Sequence, residues 1–221
     1  MKILASALFT STLAAVLLLV GGCAGSTRHQ SSSVVDYLYP NDQHVETAQI
    51  PRLSVPLKVG VAFVPESRPM MTASLTETEK TRLLEQISSH FSELEFVKSI
   101  EILPSAYLTP RGSFANLDQV RTMYGIDVIA LVSYDQTQFT DEGMLSLTYW
   151  TLIGAYIVPG EKNDTHTMVD AAVYDIASRK MLFRAPGVSH IQGKSTPVNL
   201  SEQLREDSIE GFRQASAHMV E

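Results

Sequence analysis

The run Asp127-Val128-Ile129-Ala130-Leu131-Val132-Ser133-Tyr134 most constrains the fold of this chain. It is apolar on both alternating sets of positions, as a strand buried on both faces would be, so a central strand with cover on each side is expected there. Such cover requires helices and further strands, and the flanking sequence supplies both patterns.

Upstream, Leu57 to Val64 reads as a strand closed by Pro65. Ser74 or Thr76 can cap a helix that carries Glu77 and Glu79 in its first turn, where the helix dipole favours negative charge. Leu83, Leu84, Ile87, Phe91 and Leu94 form its apolar face at helical spacing. Phe96 to Leu103 is a second strand, with Phe96, Ile100 and Ile102 on one face and Lys98 interrupting it. Asn116 to Tyr124 is a short helix ended by Gly125.

Downstream, strands are expected at Leu147 to Val158, Thr167 to Ile176 and Lys180 to Arg184. The last two are joined by a hairpin at 175–180, in which Asp and Ser supply local backbone hydrogen bonds. Leu200, Leu204, Ile209, Phe212, Ala215 and Met219 outline a C-terminal amphipathic helix. The order β-α-β-α-β-β-β-β-α predicts an α/β (α+β) fold: a single domain over 57–221 with a mixed central sheet and helices packed in one layer or two. A hydrophobic content of 44% with 19% charged residues can supply the core.

The chain before Leu57 has a different character. Met1-Lys2 followed by the uncharged stretch Ile3 to Val20 fits either a signal peptide or a span. Leu19-Val20-Gly21-Gly22-Cys23 resembles a bacterial lipobox, with an aliphatic residue, two small residues and then the only cysteine of the chain. That resemblance implies a lipoprotein signal peptide over 1–22, cleavage after Gly22, and acylation of the Cys23 sulfur and of the new amine. Three acyl chains make such attachment effectively permanent. Ala24 is not the Asp that, in the sorting pattern this resembles, favours inner-membrane retention, so the periplasmic side of the outer membrane is the expected location. Residues 23–33, rich in Gly, Ser and Thr, read as the lipidated Cys and a flexible tether. Residues 34–56 read as a docked or extended strap, because Val34-Val35-Asp36-Tyr37-Leu38-Tyr39 is too apolar for free linker; a partner-binding motif is the alternative for that segment.

The formal net charge of −7 argues against nucleic acid, which needs clustered Lys and Arg. It also predicts that the body stands off an anionic membrane surface. One cysteine excludes an intrachain disulfide and any multi-cysteine metal site.

No catalytic, cofactor-binding or metal-ligating set is read from the sequence, and no cofactor is expected. There is no G-x-S-x-G and no phosphate-cradling glycine loop. His29, His44, His90, His166, His190 and His218 are scattered. His166 and Asp170 would share one face of a strand, expected as a solvated face, with a metal or catalytic pair as the alternative. Glu77, Glu79, Glu93 and Glu95 read as dipole and solubility charges, and Tyr149, Trp150 and Tyr156 as core or sheet face rather than a ligand box.

Ser33 to Pro40, Val59 to Pro65, Val132-Ser133-Tyr134-Asp135-Gln136, Tyr149-Trp150-Thr151 and Phe183-Arg184-Ala185-Pro186-Gly187 together resemble the rhombotarget lipoproteins, over most of the mature chain. These are bacterial lipoproteins of unassigned biochemistry, many with a C-terminal Gly-Gly signal for a rhomboid-type protease. His218-Met219-Val220-Glu221 has no glycine pair and departs from that pattern. In architecture the chain also resembles, more remotely, the curli secretion lipoprotein, the lipoprotein activators of penicillin-binding proteins and the N-terminal domain of the Tol-system propeller protein. Two functions follow as expectations: a membrane-anchored binding or assembly module acting through an envelope protein partner, or a lipid-anchored hydrolase whose site is assembled from distant residues.

Overall fold

Apolar alternation and amphipathic periodicity lead to one mixed sheet with helices on both of its faces. The computed structural model describes residues 26–40, 50–66, 75–142, 161–196 and 198–220. In chain order the elements are β1 (Ser26–Ser31), α1 (Val34–Leu38), β2 (Leu57–Phe63), α2 (Glu77–Ser89), β3 (Val97–Ile102), a 3-10 turn (Ser105–Tyr107), α3 (Ser113–Tyr124), β4 (Val128–Glu142), β5 (Glu161–Asp175), β6 (Lys180–Ser195) and α4 (Leu200–Met219). The α/β fold with a mixed central sheet is as expected, and from Leu57 the elements follow in the expected order. The strand expected at Leu147 to Val158 lies outside the described residues.

The sheet runs β3-β2-β4-β5-β6, with β1 on the free flank of β4 beyond β2. β4 organises it. Its first half pairs in parallel with β2, from Val59↔Val128 to Phe63↔Val132. Its second half pairs antiparallel with β1, from Ser31↔Asp135 to Ser26↔Thr140. On its other side β5 runs antiparallel along the whole length.

Where β2 flanks β4, both faces are covered, so the helices form two layers. Leu117 and Val120 of α3 and Tyr37 and Leu38 of α1 pack on Ile129, Leu131, Ala172 and Tyr174. Leu83, Leu84 and Ile87 of α2, with Phe212, Ala215 and Met219 of α4, pack on Val61, Phe63, Val132 and Tyr134. Leu131 is 0% exposed, as its place in the apolar run predicts. Thr76 and Glu79 close a capping box at the start of α2, and Gly125 ends α3 at φ 63°, a left-handed cap that favours glycine.

Two expectations for the N-terminal segment change. Ser26–Ser31, within the stretch read as a flexible tether, is a strand. It shows no apolar alternation because it is an exposed edge whose stability comes from ladder hydrogen bonds and from Gln30, which donates to Gln136 Oε1 at 2.6 Å. Val34–Leu38, read as an extended or docked strap, is docked but helical, because the Ser33 hydroxyl caps Asp36 N and the one-turn helix buries Val34, Tyr37 and Leu38 together.

The hairpin strands are also longer than expected. β5 begins at Glu161 and β6 continues to Ser195. At the 175–180 turn Asp175 accepts from Ala177 N and Ser178 N, while the Ser178 hydroxyl is buried without a partner. Among the described residues, the sheet beyond Tyr134 therefore extends as β1-β4-β5-β6. α4 covers one side of this extension.

Candidate functional site

The side of the extension that no described helix covers is the candidate site. Because alternate residues of a strand point to opposite faces, odd positions of β1 and β4 meet even positions of β5 and β6 there. The register gives three cross-strand rows: Ser31-Asp135-Met168-Val188, His29-Thr137-His166-His190 and Thr27-Phe139-Asp164-Gln192. Among the described residues, no helix packs on this patch. Phe139, Met168 and Val188 are 45%, 40% and 59% exposed on it.

On the opposite side, buried polar residues tie the extension to α4. Gln136, Gln138, Thr140, Asn163, Thr165 and Thr167 are buried beneath α4. Gln138 Nε2 donates to Thr165 Oγ1 at 3.1 Å and to the Leu204 carbonyl at 2.8 Å. Gln136 Nε2 donates to Thr167 Oγ1 at 2.7 Å. A buried amide that finds its partners fixes the helix against the sheet more specifically than apolar contact alone.

Within the patch, histidines and carboxylates pair. His166 and His190 are directly opposite each other across β5 and β6, their rings stacked 4.2 Å apart at 10°. Asp164, two residues before His166 on the same face, has Oδ1 within hydrogen-bond reach of His190 Nε2 and 3.4 Å from His166 Nε2. One donor atom from each of Asp164, His166 and His190 lies within 4.8 Å of the other two, a grouping that could hold a metal ion among the described residues. The Phe139 ring meets His166 edge-on at 6.2 Å. One strand away, His29 Nε2 lies 3.1 Å from Asp135 Oδ2.

His166 thus stands on a solvated strand face as expected, but Asp170 does not pair with it. Asp170 is drawn to Arg184, whose Nε donates to its Oδ1 at 2.6 Å. The residues brought to His166 are Asp164 and His190, which sequence reading did not group. An aligned hairpin register would have found them. Of the other histidines, His90 Nδ1 lies 2.9 Å from the Gln86 carbonyl and His218 Nδ1 2.7 Å from the Val188 carbonyl. Glu77 pairs with Lys80 at 3.0 Å and accepts from Ser105 N, and its carboxyl stays below the usual range because these donors outweigh its partial burial. Cys23, His44, Tyr149, Trp150 and Tyr156 lie outside the described residues.

No protein-family model matches the chain, and no curated relative does. Among solved structures it is similar to a neuraminyllactose-binding hemagglutinin homolog from Helicobacter pylori, at 9% identity and TM-score 0.40, over 80% of this chain and 87% of that one. It is also similar to PelC from Paraburkholderia phytofirmans, at 10% identity and TM-score 0.34, over 89% of this chain and 98% of that one. At these TM-scores neither likeness bears on what the chain does.

Proposed function

We propose that the chain is a lipoprotein of the bacterial cell envelope, of the rhombotarget kind, attached through Cys23 to the periplasmic side of the outer membrane. In this reading it is a binding or assembly module that meets an envelope protein partner. The lipobox and the lone cysteine support the anchor. Among the described residues, no helix is long and apolar enough to cross a membrane.

The observation that carries the reading is the pairing of Ser26 with Thr140. Cys23 is three residues before Ser26. Three residues span at most about 10 Å even when fully extended. A lipid on Cys23 therefore keeps the Thr27-Phe139-Asp164-Gln192 end of the open patch close to the membrane, in place of the longer reach of a free tether. A domain held this way meets a partner that lies at the membrane, where confinement raises the local concentration and favours a weak contact.

Photo-crosslinking in intact envelopes tests this. A crosslinker at Phe139 or Val188 should capture the same envelope protein, and one at Arg213, on the outward side of α4, should not. The capture should fail in Cys23→Ala. If no site captures an envelope protein while the purified chain turns over a substrate, the hydrolase reading replaces this one.

A further inference from the structure

We propose that Asp164, His166 and His190 form a solvent-open site for a divalent transition metal of the Zn²⁺ class. Two imidazole nitrogens with one carboxylate oxygen are a borderline donor set, which suits Zn²⁺ and its first-row neighbours and not the all-oxygen preference of Mg²⁺ or Ca²⁺. The backbone supplies the placement. Asp164 and His166 share a strand face at i and i+2, and antiparallel register sets His190 beside His166. Metal–ligand bonds are about 2.0–2.2 Å for these donors, so ligand atoms around one ion are separated by less than twice that length. The three donor atoms already lie within 4.8 Å of one another. Side-chain rotation alone brings them onto an ion, without movement of the strands.

The environment limits and shapes the site. The side chains of His166, His190 and Asp164 are 53%, 45% and 39% exposed, so the ion's remaining coordination positions face solvent or an incoming ligand. Phe139 braces one edge of His166. The Asp164 carboxylate, now hydrogen-bonded to His190, turns to the ion and loses little, since it exchanges a hydrogen-bond donor for a cation. Lys162 and Lys194 occupy the next row of the same face toward the sheet end. Their charge opposes a cation, but at exposed positions it is screened. His29 and Asp135 are engaged with each other and lie outside the triad. The site does not depend on the lipid anchor.

Calorimetric titration of the full chain in detergent with Zn²⁺ tests the proposal. One ion should bind per chain, with no competition from millimolar Mg²⁺. His166→Ala and His190→Ala should each weaken binding at least tenfold, a loss no smaller than that seen when groups outside the ligand set are removed. His90→Ala, at the end of α2, should leave it unchanged. With Cu²⁺ as a spectroscopic probe, nitrogen hyperfine structure should report two imidazoles in the parent chain and one in His190→Ala. Because His166 and His190 are exposed on the sheet surface, circular dichroism of the variants should match the parent. Failure to bind Zn²⁺, or affinity unchanged in both histidine variants while their fold is intact, overturns the site.

Discussion

Gln136 and Ser208 are bonded to each other twice across the seam between the sheet and α4. The Ser208 hydroxyl donates to Gln136 Oε1 at 2.6 Å, and Gln136 Nε2 donates to the Ser208 carbonyl at 3.1 Å. Gln136 is 0% exposed. Replacing it by Leu removes the shared partner of Thr167, Ser208 and Gln30 and leaves buried hydroxyls without a bond. Each such group costs about 1–3 kcal/mol, so Gln136→Leu should lower unfolding free energy by about 3 kcal/mol in urea titration, despite being the more apolar residue. Unchanged stability would show that the seam tolerates unpaired groups.

The same seam is close enough to require glycine. A Cβ at Gly187 would collide with the Ala215 carbonyl oxygen and lie 2.8 Å from Met219 N. Both obstacles are backbone, which cannot rotate away. Gly187→Ala should therefore displace the last turns of α4 and cost about 2–3 kcal/mol. Hydrogen exchange should quicken in 212–219 and stay unchanged in α3, which lies on the other face.

These contacts explain how far the sequence could be read. Apolar periodicity located β2, α2, α3, the first half of β4 and α4, because there packing is apolar against apolar. It stopped at Tyr134, since Gln136, Gln138 and Thr140 look like loop or surface residues yet are buried, the two glutamines bonded to backbone carbonyls of α4. On α4 itself Asp207, Ser208, Gly211 and Ser216 are buried beside the expected apolar positions, which widens the contact face toward small and polar residues. Pro186, Gly187 and Gly193 look like strand breakers after Arg184. Their true context is an outer strand, where proline is tolerated, running under a close helix. The His166–His190 pair is 24 residues apart in sequence, and only the hairpin register aligns it.

Alkaline pH should destabilise the domain through Tyr37. Its hydroxyl donates to Asn116 Oδ1 at 2.8 Å, and burial holds its pKa well above the ordinary value. The folded state thus favours the neutral phenol, and this contribution is intact below the unfolded pKa of about 10. It is lost progressively as pH rises above that value, because the unfolded chain releases the proton first. Tyr39 and Tyr174 are raised in the same direction by burial. Tyr37→Phe should cost about 1 kcal/mol at pH 7 and show a shallower loss of stability between pH 9 and 11. An identical alkaline slope in the two proteins would mean that Tyr37 does not carry the effect.

Chain length between Cys23 and Ser26 is the variable that most directly probes the proposed function. Inserting about ten Gly and Ser residues after Gly25 leaves the lipobox and β1 unaltered. It raises the mean reach of the connection to about 20 Å, from a ceiling of about 10 Å. The β1 ladder from Ser26↔Thr140 to Ser31↔Asp135 is internal to the domain, so melting temperature should not change, and lipidation measured by mass spectrometry should persist. Crosslinking from Phe139 to a membrane-resident partner should fall several-fold, because the effective concentration at the membrane drops as the tether lengthens. Equal crosslinking from the short and long forms would mean that the tight hold of β1 serves folding alone and that the partner reaches the open face without help from the membrane.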